Sequence, residues 1–151
     1  LGSDYPIDEA IEQLRGTDCY SDWDNDLRYF FYRYEECLTE KQGIKISKEI
    51  WEQIWSVSPT KTIEHIHAQN SADKAKAHLE KHVHRLGNLM LLPPDVNSKA
   101  GAKPFSEKKK IYQEHNHLKL MSEVIAKTDW DEKEIEEREN NLLSWAKGTW
   151  G

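Results

Sequence analysis

Two short apolar segments set between helix-breaking residues limit what this chain can fold into. Thr60 to Ile66 follows Ser58-Pro59 and carries the β-favouring residues Thr62, Ile63 and Ile66. Leu89-Met90-Leu91-Leu92 sits between Gly87-Asn88 and Pro93-Pro94. Both read as strands, because they are short, apolar and bracketed by turn residues. The expectation is a hairpin of strands 60–66 and 88–92, with a polar helix, capped by Ser71 and reaching about His82, inserted in its connection. Pro94 can open a short helix that carries Asn97 and ends at Gly101. The outcome is a ββα unit.

The flanks are helical by periodicity. Asp4-Tyr5-Pro6 leads into Ile7, Ala10, Ile11 and Leu14, a capped helix ending at Gly16. Ser21 is expected to cap a longer helix, with Leu27, Phe30, Phe31, Tyr34, Cys37 and Leu38 at helical spacing and Gly43 as its stop. Such an aromatic stripe belongs in a core. Ile44-Lys45-Ile46 alternates briefly, as a short strand would, and Ser47 caps a helix bearing Ile50, Trp51, Ile54 and Trp55. After Gly101, Pro104 opens a helix with Phe105, Ile111 and Tyr112 on its apolar side. Leu118 to Ile125 form another, and a last helix runs from about Asp131. With Leu1-Gly2-Ser3 set aside, the expected fold class is α+β, mostly helical, as one domain over 4–151. Its parts are an N-terminal helical part (4–59), the ββα core (60–101) and C-terminal helices (102–151).

A chain of 151 residues is long enough to bury a real core in one domain. No apolar run approaches the roughly 20 residues of a membrane span. No basic region followed by an apolar one opens the chain, so neither a signal peptide nor a membrane partner is expected. Cys19 and Cys37 form no CxxC pair and no disulfide framework, which suits a cytoplasmic protein. The net charge is −6, but it is unevenly spread. Residues 1–59 and 121–151 are acidic, whereas 60–120 carry 11 basic and 6 acidic side chains and all seven histidines. Phosphate binding depends on local charge, so the overall acidity does not exclude DNA as a partner. Arg85, Lys99, Lys103 and Lys108 are the candidate phosphate contacts. The plainer reading of any one of them is a solvated helical face.

The same segment carries Glu64-His65 on the first expected strand, Asn88 at the start of the second, and Asn97 on the short helix. This is the residue set of a metal-dependent phosphodiesterase of the HNH type. Phosphodiester hydrolysis needs a base for the attacking water and positive charge on the developing oxyanions. His65, with an ordinary pKa of about 6.5, is mostly neutral at cellular pH and can act as that base. Glu64 and Asn97 would supply oxygen ligands to Mg²⁺ or Mn²⁺. One or two protein groups suffice for Mg²⁺, which keeps several waters. Neighbouring strand residues point to opposite faces, so Glu64 reaches the same ion as its neighbour serves only where the strand ends or bulges. Asn88 would hydrogen-bond the connecting loop and keep His65 aimed. Taken singly, His65 reads as a core histidine, Asn88 as a turn residue and Asn97 as helix punctuation; the three in order, in a ββα context, make the sharper reading. A zinc site is the lesser alternative. His78 and His82 share a helix face and could join His65 or His67, but Leu79 stands where a zinc-protease helix would carry glutamate.

On these residues the chain resembles the HNH-type nuclease domain at the C-terminus of GmrSD-type, modification-dependent restriction enzymes. The likeness runs from roughly residue 22 to the end. It rests on Ile63-Glu64-His65-Ile66-His67-Ala68-Gln69, on Arg85-Leu86-Gly87-Asn88-Leu89 with Leu91, on Asn97 followed by Phe105, Lys108 or Lys109 and Tyr112, and on Trp130, Ile135 and Arg138 with Trp145 or Trp150. His67-Ala68 departs from the apolar residue and proline often found there. The resemblance implies a ββα-metal (His-Me finger) core, DNA cleavage leaving 5′-phosphate and 3′-hydroxyl ends, and His65 as base. It implies Asn88 as the middle asparagine and Glu64 with Asn97 at the metal. It also implies an anti-phage restriction role and an N-terminal ParB-like sensor domain as partner. Lys108 matches a family position and is expected to touch phosphate, and Arg138 to form a structural ion pair. A catalytically weak DNA- or protein-binding module of the same fold is the other reading.

Overall fold

The computed structural model describes residues 7–21 and 23–151. The expected cap at Asp4-Tyr5-Pro6 lies outside them. Among the described residues, seven α-helices surround one two-stranded antiparallel sheet: α1 (Ile7–Glu12), α2 (Asp24–Lys41), α3 (Lys48–Trp55), β1 (Ile63–His65), β2 (Leu89–Leu91), α4 (Pro94–Ala100), α5 (Phe105–Glu114), α6 (Leu120–Ile125) and α7 (Glu132–Trp150). The mostly helical α+β class is therefore as expected. In the sheet Ile63 pairs with Leu91, Glu64 with Met90 and His65 with Leu89. Helix α4 follows β2 directly, so strand, strand and helix stand in the expected order.

Several local expectations give way to specific contacts. The strand expected over 60–66 shrinks to three residues, because Pro59–Lys61 form a 3₁₀ turn and the Thr62 hydroxyl donates back to the Pro59 carbonyl at 2.7 Å. The segment expected as a helix from Ser71 is instead a 3₁₀ stretch, Lys74–His82, kinked at Lys76. Its cap is Asp73, which accepts from the Ala75 N–H at 3.1 Å. The kink lets Lys76 reach Asp129 (2.8 Å) and Asp131 (2.7 Å) at the start of α7. Ile44-Lys45-Ile46 is not a strand. Gly43, at φ +66°, ends α2, and the Ile44 N–H returns to the Thr39 carbonyl while Gly43 N–H returns to Glu40. That pair of bonds is a Schellman cap, which uses Ile44's N–H to end the helix. Ser21 does not cap α2; its hydroxyl donates to Asp18 at 2.6 Å.

The hairpin is buried along its length. Ile63, Ile66, Leu89, Met90, Leu91 and Leu92 join Phe31, Tyr112, Val124, Trp130, Ile135 and Leu142 in one core. Helix α7 lies against the 3₁₀ turn Leu86–Asn88 so closely that a β-carbon on Gly87 would fall 2.0 Å from the Ile135 carbonyl oxygen. Only glycine permits that approach. Arg138, one α7 turn beyond Ile135, donates to the Gly87 and Leu89 carbonyls and lies over the Phe31 ring at 5.6 Å. The expected ion pair is thus replaced by backbone carbonyls. Among the described residues, no helix is long and apolar enough to cross a membrane.

Candidate active site

Ile63, Glu64 and His65 of β1 share one open pocket, of about 230 Å³, with Ala68, Gln69 and Asn70 of the connecting loop and with Asn97, Gly101 and Ala102 at the end of α4. Glu64 and His65 of the strand and Asn97 of the later helix, separate in sequence, therefore border the same space.

His65 is 6 % exposed. Its Nε2 lies 3.1 Å from His84 Nδ1, and its Nδ1 lies 3.5 Å from Gln69 Nε2. The Tyr20 ring meets it edge-on at 4.4 Å between centroids. Burial, with smaller contributions from His84 and Lys108, pushes the imidazole pKa down to about 3. The ring is therefore neutral at cellular pH, with one nitrogen carrying a lone pair.

Glu64 turns toward α5. Its Oε2 accepts a 2.6 Å hydrogen bond from the Tyr112 hydroxyl and lies 3.3 Å from Lys108 Nζ. Burial pushes this carboxyl up, against the opposing pull of Lys108 and Tyr112, and pushes the Lys108 ammonium down. Lys108 itself is 0 % exposed and also donates to the His65 carbonyl at 2.7 Å. The expected phosphate contact of Lys108 is corrected: a buried ammonium cannot reach DNA, and it holds the acid–histidine strand from behind.

Asn88 is buried, and its amide uses all its main bonding capacity. Oδ1 accepts from the His67 N–H at 2.9 Å and the Trp130 indole N–H at 3.0 Å, while Nδ2 donates to the His67 and Val83 carbonyls at 3.0 and 2.9 Å. It ties both ends of the 66–88 connection to α7's approach. Asn97 is half-buried, and its Nδ2 donates to the Lys61 carbonyl at 2.8 Å. That bond orients the amide and leaves Oδ1 as an available oxygen ligand.

The basic residues divide. Lys99 and Lys103 are exposed beside Asn97, with Lys103 Nζ on the Lys99 carbonyl at 2.7 Å. Arg85 is instead paired with Glu139 at 2.5 Å, and Glu136 lies 3.8 Å away. Its guanidinium is thus held by acids of α7 rather than standing free for phosphate. The histidine pair considered for zinc also points elsewhere: His78 meets Asp131 at 2.8 Å and His82 meets Glu132 at 3.4 Å. Among the described residues, no three His, Cys, Asp or Glu side chains converge on one point. The pocket's oxygen-bearing side chains, the Glu64 carboxylate and the Gln69, Asn70 and Asn97 amides, are hard ligands that suit Mg²⁺ better than zinc.

The description "GmrSD restriction endonucleases, C-terminal domain" matches residues 4–145. The chain belongs to that family. It is thus the C-terminal domain of a family of restriction endonucleases, which makes nuclease activity its class of function and DNA its class of substrate. No curated protein matches it. Tyr20, His84 and Trp130, three supports of this family's candidate site here, were not legible as site residues from sequence. Trp130 stood out only as a motif position, and His84 only as one of the seven histidines of the basic segment.

Proposed function

We propose that this domain is a Mg²⁺- or Mn²⁺-dependent DNA endonuclease of the HNH, ββα-metal type. The observation that carries this reading is the pocket bordered by Glu64, His65 and Asn97 beside a hairpin whose loop Asn88 holds. Glu64 and the Asn97 carboxamide oxygen would hold the cation. When bound, the cation supplies positive charge to the phosphate and its leaving oxygen. His65 takes the proton from the attacking water; its neutral ring has a lone pair for it. Asn88 keeps the His65–His67 backbone in place. Tyr112 and Lys108 hold Glu64, and Lys99 and Lys103 approach the phosphate backbone. The products are 5′-phosphate and 3′-hydroxyl ends. The domain is the effector of a cytoplasmic bacterial anti-phage restriction system, paired with an N-terminal ParB-like sensor.

Nicking of supercoiled plasmid with Mg²⁺ or Mn²⁺, with and without chelator, tests this. His65→Ala is expected to lower the rate by about 10²-fold or more, the usual contribution of a general base. Wild-type rates from that variant would refute the assignment.

A second reading, a catalytically weak DNA- or protein-binding module, is favoured by one observation. The Glu64 Oε2 already accepts from the Tyr112 hydroxyl and lies 3.3 Å from Lys108, which leaves only Oε1 of that carboxylate for a cation. DNA binding with no cleavage across several divalent metals would select it.

A further inference from the structure

We propose that His84 is a positioning residue that sets the tautomer and orientation of His65, by accepting the His65 Nε2–H and keeping the Nδ1 lone pair on the pocket side, where Gln69 meets it. This rests on the reading of His65 as the base.

Two contacts point the same way. His84 Nδ1 lies 3.1 Å from His65 Nε2, so one of the two nitrogens carries the shared hydrogen. On the other side of the His65 ring, Gln69 Nε2 lies 3.5 Å from Nδ1. With its amide nitrogen on that side, Gln69 donates, which makes Nδ1 the accepting nitrogen. A neutral imidazole with an accepting Nδ1 has its hydrogen on Nε2, and that hydrogen meets His84 Nδ1. Gln69 borders the pocket and His84 does not, which puts the lone pair on the pocket side.

The His84 ring is itself held. Tyr20 stacks on it with centroids 5.2 Å apart and planes 6° from parallel, and the same tyrosine meets His65 edge-on. The His84 carbonyl accepts the Cys19 N–H at 2.9 Å. Asp18 Oδ1 accepts both the Tyr20 and the Ser21 N–H groups, at 2.8 and 3.0 Å, which fixes the turn carrying Tyr20. A base in the wrong tautomer offers a hydrogen where a lone pair is needed, so a fixed acceptor behind the ring affects turnover rather than substrate binding.

The test compares His84→Leu and His84→Asn, with His65→Ala as reference, in single-turnover nicking of supercoiled plasmid with Mg²⁺. It pairs these with long-range ¹H–¹⁵N NMR of the imidazoles. Asparagine places a carbonyl oxygen where His84 carries Nδ1, and leucine places no acceptor. The wild-type protein is expected to show His65 with hydrogen on Nε2. His84→Leu is expected to lose that tautomer's dominance and about tenfold or more in rate, with little change in the DNA concentration for half-saturation. His84→Asn is expected to restore both. A wild-type His65 with hydrogen on Nδ1 overturns the inference, as does a His84→Leu protein whose tautomer population is unchanged, whatever its rate. If His84→Leu does not fold, His84→Asn decides: loss of the wild-type tautomer in that folded variant overturns the inference, and its retention supports it. Wild-type cleavage by His65→Ala would instead sink the functional reading and leave the tautomer result standing.

Discussion

The Tyr112 hydroxyl donates a 2.6 Å hydrogen bond to Glu64 Oε2, joining helix α5 to the strand that carries the candidate base. The bond is fully buried, and Lys108 stands 3.3 Å from the same oxygen. One carboxylate oxygen is therefore committed to orientation.

Removing the phenol hydroxyl tests that commitment. Tyr112→Phe is expected to destabilise the domain by about 1–2 kcal/mol, the cost of stranding a buried acceptor. The Mg²⁺ concentration needed for half-maximal nicking should rise by about tenfold or more, as when a support behind a metal ligand is lost. Urea unfolding and metal titration measure the two. An unchanged titration would detach Glu64 from the cation.

Lys108 and the exposed lysines should separate cleanly. Lys108→Met leaves Glu64 buried without its cation and should cost about 3 kcal/mol of stability in urea unfolding. Lys99→Ala and Lys103→Ala should change stability by no more than about 0.5 kcal/mol. Each should instead weaken DNA binding and reduce the slope of log K against log salt by about one. Fluorescence anisotropy across a salt series reads this. A flat response would remove both lysines from the DNA path.

Gly87→Ala should be among the most damaging single changes. The added methyl would lie 2.0 Å from the Ile135 carbonyl oxygen, and that oxygen belongs to the backbone of α7. A loss of about 3 kcal/mol is expected from the forced separation. Thermal unfolding measures it; a wild-type midpoint would contradict the close approach.

Asp131 supplies the pH-dependent term. Lys76, then His78, holds its carboxyl well below the usual carboxylate range. A folded pKa below the unfolded value of about 3.9 means the unfolded chain binds the extra proton in acid. The stability from this group is therefore complete above about pH 5 and lost as pH falls through the strongly acidic range. Asp131→Asn keeps the helix cap, since asparagine caps as well as aspartate. It should cost no more than about 1 kcal/mol at pH 7, because solvent screens the half-exposed pair. In strong acid the difference from wild type should vanish. A constant difference across pH would show that the charge contributes nothing.

What could be read from the residues alone followed from short-range chemistry. Proline, glycine and apolar spacing located β1, β2, α4 and the helices near their true places. Glu64, His65, Asn88 and Asn97 stood out because their donor types suit one reaction. The misreadings, Ile44–Ile46 as a strand, Ser21 as a cap and the 71–82 segment as a regular helix, all occur where a nearby backbone or side-chain partner outcompetes intrinsic preference.

Side-chain direction was decided by tertiary structure. Lys99 and Lys108 look alike in a basic stretch, yet one is exposed and the other fully buried against Glu64 and the His65 carbonyl. Arg85 looked free until α7 brought Glu139 to it. His84 looked like one histidine among seven until the fold set it behind His65. Local spacing determines which backbone forms and which face is apolar. Which charge is buried, and which partner meets it, depends on segments tens of residues away, whose docking no periodicity records.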